Sequence, residues 1–158
     1  MTERDRDAAG KPLNSRPRDG LGRPLPRDAA GGVPRIPDDV RLPPDESITE
    51  AQRLLDHGMP FHAHEILEGT WKSAPPEERD LWQGLAQLAV GLTHLLRGNT
   101  TGAVSLLGQG HDRIRHYEVE SPHGLDIPGL LTWSEHLLAE IDRPGDFPAP
   151  PIPRLRIP

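Results

Sequence analysis

The sequence predicts an all-α domain, a compact bundle of about five helices flanked by disordered N- and C-terminal tails. Three observations predict it. Prolines gather at the two ends, apolar residues in the middle recur at helical spacing between capping residues, and no segment alternates as a half-buried strand does.

Of 158 residues, 19 are Pro and 16 are Gly, together about twice the usual share. Residues 1–45 hold eight prolines, 144–158 hold six, and the 98 residues between hold five. The first 45 residues mix nine Lys/Arg with eight Asp/Glu and show no apolar periodicity. Such a segment buries too little apolar surface to offset its chain entropy. The expected organisation is therefore a disordered arm over 1–45, a helical domain over 46–143 and a Pro-rich tail over 144–158.

Each helix has its own signal. The first is expected from about Ser47 to His57, with Ser47 and Glu50 as a capping box, Ile48, Ala51, Leu54 and Leu55 on one face, and Gly58 as its stop. The second starts at Pro60, a favoured first helical residue, and reaches about Lys72 before Pro75 and Pro76 break the chain. The third spans about Pro76 to Arg97, with Leu81, Leu85, Leu88, Leu92 and Leu95 as its stripe and Gly98 as its stop. Asn99 or Thr100 caps the fourth, which turns Ala103, Leu107, Ile114 and Tyr117 inward as far as about Tyr117. Asp126 caps the fifth, where Ile127, Leu130, Leu131, Ser134, Leu137, Leu138 and Ile141 follow helical spacing.

Charge and composition exclude several function classes. The net charge of −6 concentrates as −8 on residues 46–143, with +1 on each tail. A nucleic-acid footprint is thus not expected. Without cysteine there is no disulfide, no thiolate nucleophile and no Cys-type zinc site. The first 20 residues lack the apolar centre of a signal peptide. The longest uncharged run, Leu81 to Leu96, has 16 residues and is too short for a membrane span. A cytoplasmic protein is expected.

The chemistry-bearing residues lie on the second and third helices. At about 100° per residue, Phe61, His64, Leu67, Glu68 and Trp71 share one third of the second helix, which places an imidazole and a carboxylate in the expected core stripe. Burial of either requires partners. On the third helix Gln83, Gln87, Val90 and His94 share a face opposite the leucines, flanked by Gly84 and Gly91, whose small size lets another helix approach. The simplest packing sets that face against His64, Glu65 and Glu68.

Three readings of this cluster stay open. It is a structural network in which Gln and His satisfy buried carboxylates. Or His64, Glu68 and His94 hold a divalent metal, with Glu65 as general base of a metal-dependent hydrolase. Or a Glu–His pair performs metal-free acid–base chemistry. The zinc-protease pattern H-E-x-x-H lacks its second histidine, and Glu120-x-x-His123 is interrupted by Pro122. His62 and His64 stand about 200° apart on a helix, so they do not chelate one ion, and His62 is expected to face solvent. His57, His111, His116, His123 and His136 read as surface or edge residues. No phosphate loop or Gly-x-Ser-x-Gly elbow is present. The run Pro148-Ala-Pro-Pro-Ile-Pro-Arg154 fits a docking peptide or, more simply, a solvated tail.

The pattern Phe61-x-x-His64-Glu65-x-x-Glu68-x-x-Trp71, then Gln83-Gly84-x-x-Gln87, then His94-x-x-Arg97-Gly98-Asn99 with Gly102-Ala103, resembles the bacterial and archaeal family called domain of unknown function 309. Gly124-Leu125-Asp126 before the last helix fits as well, so the resemblance covers roughly residues 47–142. It implies a small all-helical domain and supplies no activity. Small size, acidic charge and the lack of a catalytic motif favour a binding or interaction module, with a protein partner or a second copy as its target.

Overall fold

The computed structural model describes residues 41–142 and 149–156. Five helices follow one another: α1 (Pro44–Asp56), α2 (Pro60–Ser73), α3 (Arg79–Leu96), α4 (Thr100–Ile114) and α5 (Ile127–Ile141). Short 3-10 turns occupy Pro76–Glu78, Arg115–Tyr117 and Pro122–Gly124. Among the described residues there is no strand, only an isolated antiparallel bridge between Leu125 and Arg156.

The third helix, uncharged from Leu81 onward, is the centre of the bundle, packed on α2 along one side and on α4 along the other. α1 lies against α2, and α5 lies against α4. Leu81, Trp82, Leu85, Leu88, Leu92 and Leu95 of α3 are all buried, with Trp82 fully enclosed. No described helix is long and apolar enough to cross a membrane.

Local chemistry ends the helices where expected. Gly58 and Gly98 take φ of +73° and +83°, the left-handed turn that glycine adopts without steric cost. Asn99 Oδ1 accepts from the Gly102 N–H at 3.0 Å, and Asp126 Oδ1 from the Gly129 N–H at 3.1 Å. The Glu120–His123 stretch is a turn, with Ser121 and His123 both at positive φ.

Four expectations need correction. Ser47 does not cap α1. The helix begins three residues earlier at Pro44, whose missing N–H costs nothing at the first turn, and Ser47 is buried inside it. The third helix is 3-10 over Pro76–Glu78 and α-helical only from Arg79. Gly84 and Gly91 face α4, not α2: a Cβ on Gly84 would lie 2.7 Å from Ile114 Cγ2, and one on Gly91 2.8 Å from Leu107 Cγ. The C-terminal tail is not wholly solvated over residues 149–156: Leu155 is 4% exposed and Pro153 is buried, while Ala149, Pro151, Ile152 and Arg154 stay exposed. The disordered arm expected over 1–45 lies outside the described residues as far as position 40, and residues 143–148, 157 and 158 lie outside them too.

Candidate functional site

α2 is rolled relative to the expected stripe. Its buried residues are Pro60, His62, Ala63, Ile66, Leu67, Gly69 and Thr70. The reason is its position between α1 and α3, where the Ala63-Ile66-Leu67-Thr70 edge fills the space between two neighbours. His62, expected at the surface, is carried inward with that edge and is 1% exposed. Phe61, His64, Glu65, Glu68 and Trp71 fall on the flank and are half-buried.

On that flank His64 is held from both sides. Its Nδ1 lies 2.9 Å from the Phe61 carbonyl oxygen, and its Nε2 lies 2.9 Å from Glu68 Oε2. The Phe61 carbonyl oxygen is an acceptor, and so is the Glu68 carboxylate. Lys72 Nζ stands 3.6 Å from the other Glu68 oxygen. The hydrogen bond from His64 holds the Glu68 carboxyl below its ordinary pKa. Partial burial opposes this, and the His64 and Lys72 charges reinforce it. The Phe61 ring lies 5.1 Å from the His64 ring, and the Arg97 guanidinium carbon lies 5.9 Å from the Phe61 ring centre.

The α3 residues expected to face this flank are bonded elsewhere. Gln87 Nε2 donates to Gln109 Oε1 at 3.2 Å, and Gln87 Oε1 accepts from Arg113 Nε at 3.1 Å. Arg113 continues to Asp80 at 2.8 Å. These bonds tie α3 to α4, because the glycines beside Gln87 draw α4, not α2, into close contact. Gln83, one turn earlier, is half-buried. His94 Nδ1 lies 3.2 Å from Asn99 Nδ2, a donor, so the imidazole accepts there. Burial first, and the Arg97 charge second, lower its pKa from the ordinary histidine value.

The single cluster expected from periodicity is therefore divided. His64 and Glu68 meet on the α2 flank, Gln87 belongs to the α3–α4 seam, and His94 belongs to the corner where Asn99 caps α4. Among the described residues no group of three or more His, Asp or Glu side chains is placed to hold a metal ion. Glu65 is half-buried on α2 beside His64.

Two histidines read as surface residues are structural pins. His111 Nε2 lies 2.7 Å from Glu135 Oε2 of α5, and its Nδ1 lies 3.1 Å from Asp112. His123 Nε2 lies 2.7 Å from Glu78 Oε1, which also accepts from Trp82 Nε1 at 3.2 Å. Both contacts join residues far apart in sequence, and neither has a periodic signal.

The matched family accounts for the motif but not the whole chain. Residues 48–106 match the family model described as Domain of unknown function (DUF309). That stretch takes in all but the first turn of α1, the whole of α2 and α3 and the first turns of α4, and hence every motif residue from Phe61 to Ala103. The Uncharacterized protein YpuF of Bacillus subtilis (strain 168) is 38% identical over 98 residues, covering 56% of this chain and 56% of that protein. The chain thus spans about half the length of the curated relative it matches. No solved structure matches. The DUF309 resemblance is carried by the half of the bundle that holds the α2 flank; α5 and the C-terminal segment lie outside the matched stretch.

Proposed function

We propose that the domain is an interaction module, and that the α2 flank bearing Phe61, His64, Glu65 and Glu68, with Arg97 beside it, is the face that meets a protein partner. The observation that carries this reading is the roll of α2. The core is filled by Ala63, Ile66, Leu67 and Thr70, while the His64 and Glu68 side chains keep 18% and 39% of their surface exposed. A polar pair that packing does not require, yet fixed by Phe61 O and Lys72, is a preorganised set of charge and hydrogen-bonding groups. The −8 charge on residues 46–143 favours a basic partner surface.

A photo-crosslinking residue at Glu68, compared with one at exposed Thr132 on α5, tests this in the native cells. A discrete adduct from position 68, absent from 132 and weakened by salt, is the expected result. Separately, His64→Ala and Glu68→Gln should each cost less than about 1 kcal/mol of stability, as half-exposed ion pairs do. A loss of several kcal/mol would assign the pair to holding the fold and sink the reading.

One contact favours a second reading. An imidazole whose Nδ1–H is held by a backbone carbonyl presents Nε2 in the way metal ligands do, and His64 Nε2 already stands beside Glu68. A metal-dependent hydrolase with His64, Glu68 and His94 as ligands and Glu65 as base requires His94 to leave Asn99 and join them. Less than about a tenth of an equivalent of zinc, iron or manganese in untagged protein, with no thermal shift on adding metal, would sink that version.

A further inference from the structure

Residues 149–156 run over the bundle between α1 and α5 with no helix or strand of their own, bonded to Gln52 of α1 and Trp133 of α5. Pro153 and Leu155 point inward and Arg154 outward, the alternation of a strand laid on a surface. The inward pair closes over Leu55, Leu85, Leu130 and Trp133.

The backbone of this segment is read in both directions. Gln52 Nε2 donates to the Pro153 carbonyl at 3.0 Å, while Gln52 Oε1 accepts from the Leu155 N–H at 2.8 Å. Trp133 Nε1 donates to the Pro151 carbonyl at 2.8 Å, and the Asp126 N–H donates to the Leu155 carbonyl at 2.7 Å. Charge is matched as well. Arg154 pairs with Asp56, and Arg156 pairs with Asp45 at 2.7 Å while its Nε donates to the His123 carbonyl.

A side-chain amide clamping the backbone, an indole on a proline carbonyl and alternate residues in apolar pockets are how proteins recognise extended peptides. Prolines hold such a segment extended before it binds, which lowers the ordering cost. We infer that the groove between α1, α5 and the 122–126 turn is a recognition site for an extended Pro-x-Pro-Arg-Leu-Arg segment, and that the chain's own C-terminal segment is its exchangeable, resident ligand. This site is separate from the α2 flank and stands whether or not that flank binds anything.

The test uses the full-length chain with a protease site in place of residues 144–147, cut after purification, and a fluorescein-labelled peptide of residues 149–156. The cut protein keeps its helical circular dichroism and takes up the peptide, read by anisotropy. The uncut protein takes it up at least about tenfold more weakly, because the tethered segment competes at high effective concentration. A peptide carrying Arg154→Glu and Arg156→Glu binds at least about tenfold more weakly than the natural one. Uncut protein carrying the same two surface substitutions gains peptide uptake relative to the unsubstituted chain. Unfolding on cutting, no exchange of the severed segment, equal binding of the charge-reversed peptide, or no gain in the substituted uncut chain each overturns the inference.

Discussion

Thr70 Oγ1 lies 2.6 Å from Ser47 Oγ in the seam between α1 and α2, with both side chains buried. The Thr70 hydroxyl has a second acceptor in the Ile66 carbonyl at 3.3 Å, so it loses less when its partner goes. The expected consequence is asymmetric. Thr70→Val keeps the shape but strips Ser47 of this bond inside the core, costing roughly 1–3 kcal/mol. Ser47→Ala costs about 1 kcal/mol or less, and Thr70→Val becomes much cheaper in that background. A double-mutant cycle by urea unfolding measures the coupling; additive losses would mean the two hydroxyls do not depend on each other.

Ser47 also illustrates what the sequence conceals. The five helices were legible because spacing, Asn99, Asp126, Gly58 and Gly98 are local signals, and each governs its own few residues. Ser47 and Glu50 carried the letters of a capping box, but the Pro43-Pro44 pair allowed the helix to start sooner. Periodicity also found the polar face of α3 without revealing its neighbour. Which helix covers a face depends on shape, and Gly84 and Gly91 of α3, with Gly110 of α4, fit those two helices together. The docked C-terminal segment was hidden for the same reason: its partners, Gln52 and Asp56, lie about a hundred residues earlier.

The glycine seam makes a contrast that separates helix propensity from packing. A Cβ on Gly110 would lie 2.8 Å from the Gly84 carbonyl oxygen, a backbone atom that cannot turn aside. Gly108, two positions earlier on the same helix, has nothing within 4 Å. Gly108→Ala should therefore stabilise the domain by up to about 1 kcal/mol through helix propensity. Gly110→Ala should destabilise it by roughly 1–3 kcal/mol, because α3 and α4 must separate. Equal effects in thermal unfolding would show that the two helices do not approach as closely as described.

The turn before α5 offers a second contrast. Ser121 and His123 both adopt left-handed backbone, with φ of 42° and 58°. A non-glycine residue there costs roughly 1–2 kcal/mol. Ser121→Gly relieves that strain while the backbone bond from its N–H to the Tyr117 carbonyl remains, so stability should hold or rise by about 1 kcal/mol. His123→Gly relieves similar strain but removes the 2.7 Å contact to Glu78 and the ring against Trp82, 5.6 Å away. That variant should lose stability on balance. If His123→Gly were as stable as Ser121→Gly, the Glu78 contact would contribute nothing.

His111 sets the sign of a pH effect. Partial burial pulls its pKa down, but the hydrogen bonds and charges of Glu135 and Asp112 outweigh burial and hold it above the ordinary value of 6.5. A raised folded value means that the folded state binds the proton more tightly than the unfolded chain. The resulting stability is complete below the ordinary value and fades as pH rises through the folded one. His94 acts in the opposite sense. Its lowered value means that the folded state resists protonation, so stability falls as pH drops below 6.5. The two partly cancel in the whole protein and separate in variants. His111→Asn should lower the melting temperature more at about pH 5.5 than at about pH 8.5, whereas replacing His94 by Gln should reduce the loss seen on acidification. A His111→Asn penalty independent of pH would mean that the α4–α5 pin works by packing and not by charge.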